Sequence, residues 1–422
     1  MTTMKKTVLT LGAFLLMIPW PALGAESDTG GVDAASDTTG YIYGQVLTDD
    51  GKTYEGRIVW NGDEETFWGD IFNGSKDELP YTKDVPERKR RESIDVFGIK
   101  IGWSTSKWEH NRSFSCRFGD ISKIEIAYRD EAVLHMKDGA KIELDGGSND
   151  LGADILVVDK EKGNVELEWR DVEEVRLMPA PADLPVVARR LFGTVKTKDY
   201  ELRGFIEWDK DERLSDESLD GEDENGKDRK ILMGDLRSIA RNDRRSSKVI
   251  LKDGTEMILS GTNDVNSENR GVVVEDPAFG RVTLDWEMFE SVTFEDGGSG
   301  PAYDAYQDGG ALHGRVFVQG GDVLEGDIVY DIDEERRWEM LDGESEGMDY
   351  EIPFGLVRTL ENGGEDVDVV LRDGAELTLG NSVDVNEKNA GIVVVKADGR
   401  TSYVAWEDVK KVEFEGAAKG NS

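Results

Sequence analysis

The sequence predicts an all-β protein of three tandem modules, each built from two small closed β-barrels. Three observations carry that prediction. A motif of the form Val-x-Leu-(Lys/Arg)-Asp-Gly, followed some thirty residues on by Trp-x-x-(Val/Phe)-x-x-Val, recurs at Val133–Val175, Val249–Val292 and Val369–Val412, with Met136 replacing the leucine in the first copy. A second block, Gly-x-Val … Gly-x-Ile-x-(Trp/Tyr), precedes each copy at Gly44–Trp60, Gly193–Trp208 and Gly314–Tyr330. Repetition at a fixed spacing marks a multiplied supersecondary unit. Inside each copy apolar residues alternate with period two, and no capped helical stripe of twelve or more residues occurs after the N-terminus.

The chain opens like an exported protein. Lys5 and Lys6 precede an apolar stretch, Thr7 to Trp20, that is short for a membrane span. Pro21 breaks it, and Ala22-Leu23-Gly24 supplies the small residues that signal peptidase reads. Residues 1–24 therefore read as a signal peptide, and the mature chain as a periplasmic or secreted protein with no integral membrane segment. Residues 25–39, rich in Ser, Thr, Gly and Asp, read as a flexible arm.

Module one is expected at 40–178, with an insertion at 80–117. A stiff Pro-Ala-Pro connector covers 179–189, module two 190–295, a Gly-rich linker 296–310, module three 311–416, and a short tail 417–422. Module two illustrates the strands. Leu191–Thr197 and Leu202–Trp208 alternate around the turn residues Lys198-Asp199. Val249–Leu251 and Met257–Leu259 flank Asp253-Gly254, read as a tight primed turn, and Asp138-Gly139 and Asp373-Gly374 take its place in the other modules. Gly271–Glu275, Arg281–Trp286 and Ser291–Glu295 complete the set. Trp169, Trp286 and Trp406 keep one distance from the Asp-Gly turn, which predicts equivalent buried sites.

Each module divides into two related halves of about fifty residues, a size suited to closed barrels that leave no exposed sheet edge. The first-half pattern, Gly-x-Val-x-Thr-x-Asp-(Gly)-x-x-Tyr-x-Gly-x-Ile-x-Trp, resembles the opening strands of SH3-like and Sm-like barrels. The resemblance covers some twenty residues per copy and implies a barrel shape. The RNA binding of Sm-like proteins is not carried over, because this chain lacks a basic surface. A six-bladed β-propeller is the competing fold.

Charge excludes whole classes of partner. The chain has 51 Lys and Arg against 89 Asp and Glu, a net charge of -38; removing Lys5 and Lys6 with the signal leaves 49 against 89, or -40. Such a surface repels nucleic-acid phosphates and anionic lipid, so a protein or other envelope component is the expected partner, with no nucleic acid. One cysteine, Cys116, leaves no internal disulfide.

Chemistry-bearing motifs are sparse. Histidines stand at 110, 135 and 313; His135 lies in a strand, and His110 with Cys116 is the only Cys–His proximity. Asp28-Thr29-Gly30 matches the aspartic-protease triplet but sits in the polar arm rather than at the end of an apolar strand. Two acidic features repeat. Asp264, Asn266 and Asn269, matched by Asp384, Asn386 and Asn389, offer the oxygen ligands that Ca²⁺ favours, although the spacing is not that of an EF-hand and Asx turns account for the same residues. The acidic runs Asp209–Asp228 and Asp331–Glu346, with Asn61–Glu78 more dilute, share a Leu-Asp-Gly core at Leu219 and Leu341 and read as solvated hairpins.

The insertion at 80–117 holds nine basic and five acidic residues. Arg88, Arg90 and Arg91 beside Trp103 and Trp108 form a candidate protein-binding or self-association element. The expected function is a non-enzymatic binding or scaffolding role in the cell envelope. A Ca²⁺-dependent structural or adhesion-type protein, and an enzyme with its site confined to module one, are the alternatives.

Overall fold

The computed structural model describes residues 38–62, 65–77, 79–86, 113–146, 148–181, 184, 188–307 and 309–416. Residues 1–24, read as an export signal, most of the N-terminal arm with Asp28-Thr29-Gly30, and the insertion residues Arg88, Arg90, Arg91, Trp103, Trp108 and His110 lie outside them. The described part is all-β: thirty strands and short 3₁₀ turns, with no α-helix among the described residues.

Module one contributes β1 (Tyr43–Thr48), β2 (Thr53–Trp60), β3 (Ile71–Ser75), β4 (Ser113–Arg117) and β5 (Ile121–Tyr128). Its second half adds β6 (Glu131–Met136), β7 (Lys141–Asp145), β8 (Ile155–Asp159), β9 (Gly163–Leu167) and β10 (Val172–Leu177). Module two repeats the series as β11 (Phe192–Thr197), β12 (Glu201–Glu207), β13 (Ser218–Asp223), β14 (Asp228–Leu232) and β15 (Leu236–Asp243). Then follow β16 (Ser246–Leu251), β17 (Glu256–Ser260), β18 (Val272–Asp276), β19 (Gly280–Leu284) and β20 (Phe289–Glu295). Module three runs β21 (His313–Val318), β22 (Val323–Val329), β23 (Met340–Ser345), β24 (Met348–Pro353) and β25 (Val357–Asn362). It ends with β26 (Val367–Leu371), β27 (Glu376–Leu379), β28 (Ile392–Val395), β29 (Thr401–Val404) and β30 (Val409–Phe414).

The halves do not close as separate barrels. In module one the order is β7-β6-β5-β10-β1-β2-β8-β9, and modules two and three keep the same order. The last strand of the second half thus lies between two strands of the first, and β2 pairs with β8 across the halves. Nor do six separate four-stranded sheets appear among the described residues. The cause is register. Val175 faces Val46 on one side and Ile124 on the other, Val292 faces Val195 and Ile239, and Val412 faces Val316 and Leu360. All nine are at most 1% exposed, so each module has a single core across both halves. The repeated glycines let that sheet bend. Gly44 and Gly56 face each other, and a Cβ on either would lie 2.3 or 2.0 Å from the carbonyl oxygen of Arg176 or Val158.

The three tryptophans occupy equivalent sites. Trp169, Trp286 and Trp406 are 3%, 2% and 4% exposed, and meet Trp60, Trp208 and Tyr330 edge-on at centroid distances of 6.1, 6.5 and 5.7 Å. The Asp-Gly hairpins differ from a primed turn. Only the glycines, Gly139, Gly254 and Gly374, take positive φ, at 89°, 89° and 99°. The Asp138, Asp253 and Asp373 carboxylates instead accept the amide two residues on, giving the three-residue loop with a glycine bulge.

The acidic runs are hairpins, as expected, but are not solvated throughout. They build the hairpins β3–β4, β13–β14 and β23–β24, anchored by Phe72, Leu219 and Leu341, all fully buried. All the described residues belong to one compact unit. β24 of module three pairs with β19 of module two, so those modules share a sheet and a hydrophobic cluster. Modules one and two meet through Asp70, whose carboxylate lies 2.9 Å from Arg213 and 3.7 Å from Arg190. The Gly-rich linker docks on module one: Tyr303 stacks on Trp68 at 4.5 Å and donates its hydroxyl to the Ile121 carbonyl. The described start of the insertion, Pro80–Asp84 and Val85, packs on module three against Val329, Ile332 and Val393.

Candidate functional site

A polar lock recurs at one end of every module. The aromatic residue closing the second strand donates to a main-chain carbonyl in the Asx-rich loop: Trp60 to Asp150 at 3.0 Å, Trp208 to Asp264 at 3.0 Å, and the Tyr330 hydroxyl to Asp384 at 2.7 Å. Each of those aspartates then accepts a main-chain N–H of the acidic hairpin, from Asn73, Asp220 and Asp342 at 2.7, 2.7 and 2.8 Å. A third carboxylate, Asp70, Glu217 or Glu339, accepts two successive amides to close the turn leading into the hairpin.

The predicted cation ligands fall within this lock. Asp264 and Asp384 hold the hairpin amides just named. Asn266 and Asn386 accept the amides of Glu268 and Lys388 at 2.7 and 2.8 Å, while Asn269 and Asn389 accept those of Gly271 and Gly391 at 3.0 and 2.8 Å. These are Asx turns, with side-chain oxygens serving the loop's own backbone. Among the described residues no group of three or more His, Cys, Asp or Glu is placed to hold a metal ion.

The lock of module three opens into a cavity of about 130 Å³ at its junction with module one. Ser113–Ser115 of β4 form one wall; Asp331, Asp333, Glu334, Glu339, Asp342 and Asp384 line the rest. Into this cluster module one inserts Lys76. Its ammonium lies 2.8 Å from the Asp333 carboxylate, donates to the Asp333 carbonyl at 2.6 Å and bonds the Glu339 carboxylate. All three side chains are more than nine-tenths buried. Glu334 is 8% exposed and its Oε2 has no hydrogen-bond partner among the described residues; Asp342 Oδ1 is likewise buried and unpartnered.

Burial on this scale displaces titration. Desolvation raises the Glu334 carboxyl well above its ordinary value, and the neighbouring Asp384, Asp333 and Asp331 charges raise it further. Desolvation also raises Asp342, Asp333 and Asp384, in Asp333 against the opposing pull of Lys76. For Lys76 burial acts downward, but Asp333 and Glu339 outweigh it and hold the amine charged. Module two repeats the arrangement: desolvation, then Asp264, pushes Glu212 up to about 8.

A stability profile follows, with its sign set by linkage. Carboxyls with raised folded pKa values contribute stability that is present below the ordinary carboxyl range and lost as pH rises through the folded values. Urea midpoints should therefore rise as pH is lowered from 8 towards 5. Glu334→Gln should flatten part of that slope and be more stable than the parent at pH 7.5. A variant with the parent's slope would show that Glu334 is not the group holding the proton.

The remaining candidate residues lie apart from this site's chemistry. Cys116 is fully buried, and desolvation raises its thiol well above the ordinary value. His135 and His313 sit on strands beside Glu125 and Asp327, at 2.9 and 2.8 Å. A larger groove, about 500 Å³, runs along the module-three sheet, but its Arg315 and Lys411 are already paired with Glu413. Sequence reasoning reached Asp384 through the Asx repeat and Asp342 through the Leu-Asp-Gly core. It missed Glu334 within the acidic run. Lys76 carried no signal, since nothing local marks a lysine that will be buried by a module some 260 residues away.

Comparison with known proteins adds little. No protein-family model and no curated protein matches the chain. Among solved structures it is similar to one titled "Streptogramin B lyase structure", at 10% identity and a TM-score of 0.14, covering 70% of this chain and 94% of that one. Similarity at that level carries no argument about fold or activity. No helix among the described residues is long and apolar enough to cross a membrane.

Proposed function

We propose that this is a non-enzymatic binding or scaffolding protein of the cell envelope, and that the cavity between modules one and three takes a cationic group from its partner. One observation carries the reading: Glu334 Oε2 and Asp342 Oδ1, buried without a partner among the described residues, belong to a cavity whose Asp333 and Glu339 already bind the Lys76 ammonium. A buried carboxylate without a partner is costly, and a cation is what relieves the cost. About 130 Å³ holds an ammonium head and a short alkyl stem. The buried Cys116 thiol, held protonated, is a poor nucleophile and weighs against an enzymatic site in module one.

Calcium is the second reading, resting on the repeated Asx-loop oxygens of Asp264, Asn266 and Asn269 and of Asp384, Asn386 and Asn389. Thermal unfolding of the full chain separates the two. Butylammonium chloride should raise the melting temperature of the parent beyond an ionic-strength control, and the Glu334→Gln/Asp342→Asn variant should lose that shift. A shift with calcium chloride alone, reversed by chelator, would favour the second reading. No specific shift with either probe, or an equal shift in the variant, would overturn the proposal. The basic stretch with Arg88, Arg90, Arg91, Trp103 and Trp108 belongs to the same proposal as a further contact surface, with self-association through 80–117.

A further inference from the structure

The module repeat gives three equivalent edge strands, β9, β19 and β29, and the chain treats them differently. β19 is paired by β24 of the next module, with Arg281 opposite Glu351, Val282 opposite Tyr350 and Thr283 opposite Asp349. β29 lies under the 80–84 turn of module one, where Thr401 donates to Asp84. β9 ends its sheet with no partner on its outer side among the described residues.

Burial shows what β9 lacks. Its Val165 is half-buried, whereas Val282, the same position in β19, is fully buried. The covering strand shows the converse. β24 buries Ile352 completely, but at the equivalent position in β14 Ile231 is half-buried, and the adjoining Leu232 is 46% exposed. β14 also ends its sheet. β4 ends its two-stranded sheet too, but its Cys116 is already fully buried, so among the described residues β14 is the donating strand whose apolar face stays partly bare.

We infer that β9 of one copy receives β14 of a second copy, in the register of the β19–β24 junction. That register puts Asn164 opposite Lys230, Val165 opposite Arg229 and Glu166 opposite Asp228, a like-charge pair that the diagonal Lys230 offsets. β14 and its flank, Lys227-Asp228-Arg229-Lys230, are basic for this acidic chain, with Arg229 already paired to Asp223; the β9 segment carries Glu161, Glu166 and Glu168 against Lys162. The Asp223 amide donates to the Lys227 carbonyl at 2.9 Å, so antiparallel alternation turns the Lys230 amide away from β13 and towards the incoming strand. Because the two patches differ, the contact is head-to-tail, and more than two copies can join. It goes beyond the cavity reading and is independent of it.

Light scattering with size-exclusion chromatography on the full chain tests this. The parent should show a mass of two or more chains that grows with concentration and persists in 0.5 M salt. Val165→Lys, which sets a charge opposite Arg229, disables the receiving edge. Lys230→Pro, on an exposed residue, disables the donating edge. In 0.5 M salt, which screens the basic 80–117 contact, each variant alone should run as a single chain, with circular dichroism like the parent's. Their equimolar mixture should give a 1:1 pair and nothing larger, since only one live edge of each kind remains. Glu334→Gln should assemble like the parent, which separates failure of this inference from failure of the cavity reading. A monomeric parent, variants that still assemble, or a mixture that does not pair would each overturn it.

Discussion

Lys76→Met should cost about 3–5 kcal/mol at pH 7.5, the cost of stripping one partner from a buried ion pair. Among the described residues the ammonium is the one basic group within bonding distance of Asp333 and Glu339, and all three side chains are at least nine-tenths buried. Without it, two carboxylates remain in a cavity whose other members are already pushed towards the protonated form. The loss should shrink as pH falls towards 5, because the stranded carboxyls can then take up protons. Adding Asp333→Asn to Lys76→Met should recover part of the stability at pH 7.5. Urea unfolding of the parent and both variants at the two pH values checks this. A loss below about 1 kcal/mol, typical of an exposed pair, would mean that the junction is open to water in solution.

Trp208→Ala should cost about 3–5 kcal/mol, as large-to-small changes at buried aromatic positions do. The indole is fully buried, meets Trp286 and Phe289, and supplies the N–H that satisfies the Asp264 carbonyl. Trp208→Tyr should cost only about 1–2 kcal/mol, the residual loss of buried volume. Module three shows why: Tyr330 fills the same place, and its hydroxyl bonds the Asp384 carbonyl at 2.7 Å. Thermal and urea unfolding compare the two variants. Equal losses would mean that tyrosine restores neither the packing nor the lock at this position, and that the two modules' sites are not equivalent.

The candidate site was half legible. Repetition exposed Asp264 and Asp384 as loop residues and Asp220 and Asp342 as the centre of Leu-Asp-Gly, because each does the same local work in its own module. Glu334 and Lys76 escaped because their significance comes from what another module brings beside them. The acidic runs misled for a related reason: high charge reads as solvation, yet Leu219 and Leu341 bury one face of each hairpin while carboxylates cap backbone amides on the other.

The sequence by itself determined the three-fold repeat, the strands, the absence of α-helix among the described residues and the burial of Trp169, Trp286 and Trp406. These follow from period-two alternation and from fixed spacing to a turn, which are local constraints on the chain. Only the tertiary structure decided which strands pair, and it placed β10, β20 and β30 between strands of the opposite half instead of closing two barrels. It also decided that β24 would join a neighbouring module and that Lys76 would be buried among the carboxylates of module three. Alternation says which face of a strand is apolar and nothing about its neighbour. That choice rests on contacts between residues far apart in the chain, where buried valines and one buried ammonium outweigh any local preference.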